Sequence, residues 1–161
     1  MKKPVILSIC VLFVLSVIFS SCAGGATARD SGAVFADMEA KEWILSAINR
    51  SGQIVPMDRS ALDVIGMGGA FTISFQGDRV SGMGAPNRYF GPFSAGPGRA
   101  LSIGNLASTM MAAIFQPEAL KEHEYFAYLS AVTSWDLREG KLELYSSSQD
   151  GTQIMLIFMP N

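Results

Sequence analysis

A chain of 161 residues, with 49% apolar and 16% charged side chains, has room for one folded domain, and this composition excludes a disordered or coiled-coil protein. The 12 basic and 14 acidic residues give a net charge of −2, so the chain lacks the basic field that binding to nucleic acid requires. Its two cysteines, Cys10 and Cys22, both lie in the first 22 residues, which leaves no disulfide or thiolate metal site for the remainder.

The first 22 residues have the three zones of a signal peptide. Lys2 and Lys3 precede an uncharged apolar stretch, Pro4–Phe19, which is followed by small residues that end at Cys22. This stretch of 16 residues is shorter than the roughly 20 residues that a membrane-spanning helix needs. The pattern therefore favours a cleaved leader over residues 1–21 rather than a lasting transmembrane anchor.

The end of the leader, Phe19-Ser20-Ser21-Cys22, resembles a bacterial lipobox, in which small residues precede a cysteine. The resemblance implies acyl chains on Cys22, and more than one chain gives stable anchoring in a membrane. It also implies sorting to an outer membrane, because Ala23 rather than Asp follows the cysteine. Cleavage would remove two of the 12 basic residues, and the remaining 10, with 14 acidic residues, give a net charge of −4. We therefore expect attachment to the cell envelope through lipid rather than through charge.

Residues 22–37 are small, polar and rich in glycine and alanine, which is typical of a flexible tether with a reach of about 20 Å. The folded domain is expected over residues 38–161, with no second linker and no internal repeat.

Apolar and polar residues alternate with a period of two along most of this domain, which predicts β-strands joined by tight turns such as Gly77-Asp78 and Asp150-Gly151. The strands are expected at Glu42–Ile48, Gln53–Met57, Phe71–Gln76, Arg79–Met83, Trp135–Leu137, Leu142–Tyr145 and Thr152–Met159.

One segment has the spacing of a helix. Gln116-Pro117-Glu118 predicts its start, because proline fits the first helical position and glutamate interacts favourably with the helix dipole. The stripe expected to face the sheet comprises Ala119, Glu122, Tyr125, Phe126, Leu129 and Val132. Together these elements predict an α+β fold, an antiparallel β-sheet or partly closed barrel with one covering α-helix.

No residue set in the chain indicates catalysis or a cofactor. His123, the one histidine, lies between Glu122 and Glu124 and is expected to be a solvated residue on the helix, without the partners of a triad or a zinc site. Residues 66–69 (Gly-Met-Gly-Gly) precede a strand and lack a Lys-Ser/Thr pair, so they predict a bend rather than a phosphate-binding loop. We therefore expect a protein that is not an enzyme and that binds no metal or cofactor.

The methionines are expected to serve mainly in core packing, although a methionine-rich face can also bind adaptable partners. The pairs at issue are Met110-Met111 and Met155 with Met159.

The most unusual window is Gly84–Gly98, in which seven of fifteen residues are glycine or proline. Proline removes donors from a sheet and glycine weakens pairing, so the window is expected to be irregular. It is either a long hairpin loop whose aromatic side chains pack on the sheet, or an exposed loop that presents Asn87, Arg88 and Tyr89 to a partner.

Several ordered stretches cover nearly all of residues 39–161 and together resemble the META domain family, also known as the heat-shock HslJ-like family. They are Trp43 with Leu45, Phe71–Phe75, Val80–Gly84, Asn87–Gly91, Ala107–Ala112, Leu129–Val132, Trp135 and Leu142–Leu144. The resemblance implies a compact antiparallel sheet with a helix, often on a bacterial lipoprotein or secreted protein, with loose links to heat shock, antibiotic tolerance and secretion or motility. It brings no established catalytic residues.

The chain departs from the family pattern where many members have cysteines, since Pro86 and Ala113 occupy those positions. A disulfide or thiol role found elsewhere in the family is therefore not expected here. The sequence predicts a lipid-anchored envelope protein that binds an unidentified envelope or secreted protein through Asn87, Arg88 and Tyr89, with no nucleic acid as partner. The alternative is a carrier that holds a small ligand inside the sheet or barrel, which would need a cavity lined by Phe and Met.

Overall fold

The computed structural model describes residues 32–112 and 116–161. The predicted leader, Cys22, most of the predicted tether and Ala113 lie outside the described residues. Within them the chain forms ten β-strands and two α-helices.

Two strands precede the first α-helix, five lie between the two helices, and three follow the second. In chain order the elements are β1 (Glu42–Arg50), β2 (Gln53–Pro56), α1 (Arg59–Val64), β3 (Thr72–Gln76), β4 (Arg79–Met83), β5 (Arg88–Ala95), β6 (Leu101–Ile103), β7 (Ala107–Ser108), α2 (Glu122–Ser130), β8 (Ser134–Arg138), β9 (Lys141–Ser147) and β10 (Gln153–Pro160).

All strand pairs are antiparallel and form one sheet in the order β6-β5-β4-β3-β1-β10-β9-β8, with β2 paired to β1 and β7 to β5. The two ends of this sheet nearly meet. Leu101 N–H donates to the Thr133 carbonyl at 3.1 Å, and Trp135 N–H donates to the Arg99 carbonyl at 3.0 Å. These bonds confirm the predicted α+β fold with a partly closed barrel.

The predicted hairpins are confirmed because alternation sets both the strands and their registers. Ser74 lies opposite Ser81 in the β3–β4 hairpin, and Leu144 lies opposite Leu156 in the β9–β10 hairpin. The opening hairpin pairs Ile48 with Val55. The bend predicted before β3 is also present.

Large aromatic and aliphatic side chains from the inward-facing positions form one core. The largest fully buried side chains are Trp43, Phe71, Phe75, Tyr89, Tyr125 and Phe158. The interior in which a small-ligand carrier would hold its ligand is therefore occupied by packed side chains.

The domain begins before the predicted boundary at Met38. A 3₁₀ turn at Phe35–Asp37 places the Phe35 ring 5.4 Å from the Phe75 ring, 5.2 Å from Phe93 and 5.7 Å from Trp135, measured between centroids. The prediction that the tether extends to residue 37 is thus wrong at its end, because burying this aromatic ring stabilises the ordered turn.

The prediction of one helix that starts at Pro117 is wrong in both respects. Helix α2 begins at Glu122, and the Lys121 N–H donates to the Glu124 carboxylate at 2.8 Å. Residues 116–121 before it are not helical, and Leu120 among them is buried in the core. The second helix, α1, is short and is capped by Asp58, whose side chain accepts from the Ala61 N–H at 2.9 Å. Within the described residues, neither helix is long and apolar enough to cross a membrane.

The window Gly84–Gly98 contains a strand, so the prediction that it is a long loop is wrong. Strand β5 pairs with β4, and its Gly91 faces inward at a point where an added Cβ would lie 2.8 Å from the Asn105 carbonyl oxygen. Pro92 is exposed on the other side of the strand, opposite Arg79. Gly91 allows the close approach of another backbone segment, and Pro92 lies at an outward position, so neither residue interrupts the strand.

The methionine prediction is wrong for three of the four residues that it named. Met110 and Met111 are exposed beyond the short strand β7, and Met159 is exposed near the end of β10. Met155 is half-buried, whereas the methionines in the core are Met38 and Met57.

Candidate functional site

Asn87 anchors the connection between β4 and β5 and is buried, with 6% of its surface exposed. Its amide nitrogen donates to a Glu122 carboxylate oxygen at 2.7 Å and to the Met111 carbonyl at 3.2 Å. Its amide oxygen accepts from the Thr109 hydroxyl at 2.9 Å and from the Met111 N–H at 2.6 Å. These four bonds use the full hydrogen-bonding capacity of the side chain, so Asn87 holds the fold together.

Glu122 completes this arrangement from the first turn of α2. Its Oε1 accepts from the backbone N–H groups of Ala85 at 2.7 Å and Asn87 at 2.6 Å. A single carboxylate thereby fixes the β4–β5 connection against the helix, through charge-assisted hydrogen bonds. The stripe that predicted a sheet-facing position for Glu122 is confirmed.

Tyr89 points into the core. Its hydroxyl donates to the Thr72 carbonyl at 2.8 Å, and the Tyr125 hydroxyl donates to the same carbonyl at 3.0 Å. The two phenol oxygens lie 3.2 Å apart. Burial raises the pKa of both phenols, so they remain neutral donors over the ordinary pH range.

The structure therefore separates the three consecutive residues predicted to contact a partner. Because alternate side chains of a strand face opposite sides, Tyr89 faces inward while Arg88 and Phe90 face outward. The prediction that an exposed loop presents Asn87 and Tyr89 is wrong, since both side chains are buried and fully bonded within the domain. A contact through Arg88 stays a prediction.

The outward face of β4 and β5 carries an exposed aromatic ring between two arginines. Phe90 is 47% exposed, and the Arg79 guanidinium carbon lies 4.8 Å from the centroid of its ring. Arg88 precedes Phe90 on the same face of β5 by two positions and is exposed. We call Arg79, Arg88 and Phe90 the Arg–Phe surface.

Two open depressions adjoin the Arg–Phe surface, and both are lined by Arg79 and Phe90. One, of about 390 Å³, is also lined by Arg88, by the polar residues Thr72, Ser74 and Ser81, and by Glu42. The other, of about 480 Å³, is completed mainly by Gln76, Asp78, Pro92 and Asn105. A planar guanidinium held over a ring can bind carboxylates while the ring supplies apolar contact, a combination common at protein interfaces.

The sequence did not predict Arg79 and Phe90 as site residues. The alternation Arg88-Tyr89-Phe90 within a strand would have found the outward position of Phe90, but the neighbouring Gly91-Pro92 suggested a loop. The stacking of Arg79 on Phe90 depends on the β4–β5 register, in which Ser81 lies opposite Phe90 and Arg79 opposite Pro92.

Several ionisable groups elsewhere in the domain form structural contacts. Asp136 is buried and forms salt bridges to Arg99 at 3.6 Å and to Arg138 at 3.2 Å. Burial and a hydrogen bond to Glu143 raise the pKa of Tyr145 to about 12. His123 is exposed on α2, as predicted. Across residues 32–112 and 116–161, no group of three or more His, Cys, Asp or Glu side chains is arranged to hold a metal ion.

Comparisons with known proteins place the chain in a family. The search of curated proteins finds no match. An NMR structure of a protein from Burkholderia xenovorans has a TM-score of 0.56 and 23% identity, over 78% of this chain and 85% of that one. A crystal structure of a DUF4847 family protein from Bacteroides vulgatus has a TM-score of 0.55 and 13% identity, over 77% of this chain and 94% of that one.

At these identities the two solved structures show a shared fold alone. The family model described as META domain, in contrast, matches residues 36–157, which is most of the chain. The match confirms the resemblance carried by the stretches from Trp43 to Leu144. The chain therefore belongs to the META domain family.

Proposed function

We propose that this protein is a lipid-anchored protein of the bacterial envelope whose META domain binds another envelope or secreted protein and catalyses no reaction. The observation that carries the proposal is the Arg–Phe surface. An aromatic side chain with nearly half of its surface in water, flanked by arginines, has the composition of the few interface residues that supply most binding energy.

The rigidity of the strands supports a binding role for this surface. Both neighbours of Phe90 in β5 are buried, and Tyr89 is hydrogen-bonded inside the core. The backbone that carries Arg88 and Phe90 is thus fixed before a partner arrives, which lowers the entropy cost of binding.

Exposed methionines extend the surface beyond β5. Thr109 N–H donates to the Arg88 carbonyl at 3.0 Å, and the next two residues, Met110 and Met111, are exposed. Methionine, arginine and aromatic residues are all enriched at protein interfaces relative to the rest of the surface. The partner is therefore expected to present apolar groups together with carboxylates.

The anchor is proposed from the lipobox resemblance at Cys22 and from the outer-membrane sorting implied by Ala23. Among the described residues, Ala33 and Phe35 are the first whose side chains pack on the core. The tether predicted before them, with an expected reach of about 20 Å, would confine the Arg–Phe surface to partners near the membrane.

The absence of catalysis is proposed because His123 is exposed alone on α2, and Asp136 and Glu122, the carboxylates held within the domain, are engaged in structural contacts. A general base needs a positioned partner and a cleft that admits the substrate.

The test replaces Phe90 with benzoylphenylalanine, a photo-crosslinking analogue that keeps the ring, and identifies crosslinked proteins by mass spectrometry in cells. We expect one dominant protein neighbour. A matched chain carries the analogue at Lys141, an exposed residue in the β8–β9 hairpin outside the Arg–Phe surface, and should not capture that neighbour.

Two further variants separate docking from anchoring. Arg88→Ala should weaken capture at Phe90 without altering the fold, because its side chain is exposed. Cys22→Ser should release the protein from membranes under a high-salt wash and reduce capture. Equal crosslinking from Phe90 and Lys141, or no product from Phe90 despite good expression, would contradict the docking proposal.

A further inference from the structure

A second concave site lies away from the Arg–Phe surface, between β2, α1 and residues 117–119. It is a cleft of about 620 Å³, within the range typical of small-molecule sites. Its walls are mostly apolar and consist chiefly of Val55, Met57, Leu62, Ile65, Pro117 and Ala119. None of these residues belongs to the proposed docking surface.

Hydrogen bonds fix the walls of the cleft. Met57 and Leu62 are buried; the Met57 N–H donates to the Ser46 carbonyl at 2.9 Å, and the Leu62 carbonyl accepts from Met67 N–H at 2.8 Å. On the opposite wall, the Arg50 guanidinium donates to the Ala119 carbonyl at 3.1 Å. The cleft is therefore formed before any ligand binds, as is usual for small-molecule sites.

Part of the apolar lining of the cleft is uncovered. Ile65, which lines it, is 42% exposed, and Val55 is half-buried. An apolar body bound in the cleft would remove part of this surface from water, which is favourable by about 25 cal/mol per Å².

The charges at the cleft favour a cation. Asp58 and Glu118 contribute two carboxylates against the single guanidinium of Arg50, which already donates to a backbone carbonyl. Among the described residues, neither carboxylate forms a salt bridge with a basic side chain. One oxygen of Asp58 accepts from the Ala61 N–H, and within residues 32–112 and 116–161 no hydrogen bond reaches its other oxygen.

We propose that this cleft binds small apolar molecules that carry a cationic amine. The apolar body lies on Met57 and Leu62, and the ammonium group interacts with Asp58 and Glu118. This site is independent of the proposed protein docking, because the two surfaces share no residue.

The experiment titrates the purified full chain in nanodiscs with three compounds of one skeleton, namely phenylbutylamine, phenylbutanol and phenylbutyrate. Isotope-labelled methionine methyl groups report binding by NMR. Met57 lines the cleft, and Met110, which is exposed elsewhere, serves as an internal reference. We expect saturable shifts of Met57 alone, with affinity highest for the amine and lowest for the carboxylate.

Two pairs of variants test the apolar and charged parts separately. Ala61→Trp fills the cleft and should abolish binding of all three compounds, whereas Ser60→Trp on the same helix, outside the lining, should not. The double change Asp58→Asn/Glu118→Gln retains a helix cap and should weaken amine binding about fivefold while leaving the alcohol unaffected.

Two outcomes would overturn the proposal. Tighter binding of phenylbutyrate than of the amine would mean that Arg50 sets the preference, and the cation assignment would be wrong. An unchanged Met57 signal with all three compounds, in a chain whose other methionine signals are native, would mean that the cleft takes no such ligand.

Discussion

Replacing Asn87 with alanine should destabilise the domain more than any exposed substitution beside it. The change removes four hydrogen bonds, one of them to the charged Glu122. The lost bond to the carboxylate contributes about 1.5 kcal/mol, and the three neutral bonds about 0.5 kcal/mol each, because the exposed Met111 and Thr109 can bond to water instead. The expected loss is thus about 3 kcal/mol.

Urea unfolding followed by circular dichroism measures this loss. With an m-value of about 1.5 kcal/mol per molar urea, the midpoint should fall by about 2 M while m itself is unchanged. The matched control is Arg88→Ala at the next residue, where the side chain is exposed and its loss should cost less than about 0.5 kcal/mol.

Asn87→Asp separates hydrogen bonding from packing, since it keeps the size of the side chain but places a carboxylate against Glu122. The like charge raises the pKa of the new carboxyl in the folded state, so this variant should be weakest at neutral pH and regain stability as the pH falls through that raised value. A loss below about 1 kcal/mol for Asn87→Ala, or a loss equal to that of Arg88→Ala, would refute the assignment of Asn87 as a structural anchor.

Two further predictions concern backbone contact and alkaline pH. Gly82→Ala should cost about 2–3 kcal/mol in urea unfolding, because its Cβ would lie 2.0 Å from a carbonyl oxygen, whereas Gly69→Ala, with nothing within 4 Å, should cost little. A urea midpoint for Gly82→Ala equal to that of the unsubstituted protein would contradict this prediction. Burial raises the pKa of Tyr89, Tyr125 and Tyr145, that of Tyr145 to about 12. The stability that these neutral phenols contribute is complete below the unfolded-state pKa of about 10 and is lost as the pH rises through their folded-state pKa values. Tyrosinate absorbance and circular dichroism should therefore change together above that pH, and ionisation of all four tyrosines in a native fold would show the reasoning to be wrong.

The sheet was predictable where one face of a strand is buried and the other is in water. Phe71–Gln76 and Leu142–Tyr145 show this alternation, and their partners are set by short turns, so local sequence was sufficient. The same logic predicted the buried positions Tyr125 and Leu129 on α2.

The remaining features depend on contacts between distant parts of the chain. Gly91 lies in a strand because the Asn105 backbone approaches it, and α2 starts at Glu122 because that carboxylate receives two N–H groups from the β4–β5 connection. These partners are distant in sequence, so no local pattern could have predicted the contacts. Helix α1 carried a local signal in Asp58, but six residues are too few for a helical period to be recognised.

The order of strands has a consequence for when the fold can be completed. Strand β1, near the start of the domain, lies between β3 and β10, and β10 ends one residue before the last residue of the chain. The register pairs Trp43 with Pro160, so the middle of the sheet closes over more than a hundred residues of sequence. Closure at such separation is slow, because the entropy of a long loop must be lost before the pairing forms. A sheet that forms from the amino end of the domain is therefore incomplete until β10 is available, and loss of β10 leaves an unpaired edge on both β1 and β9.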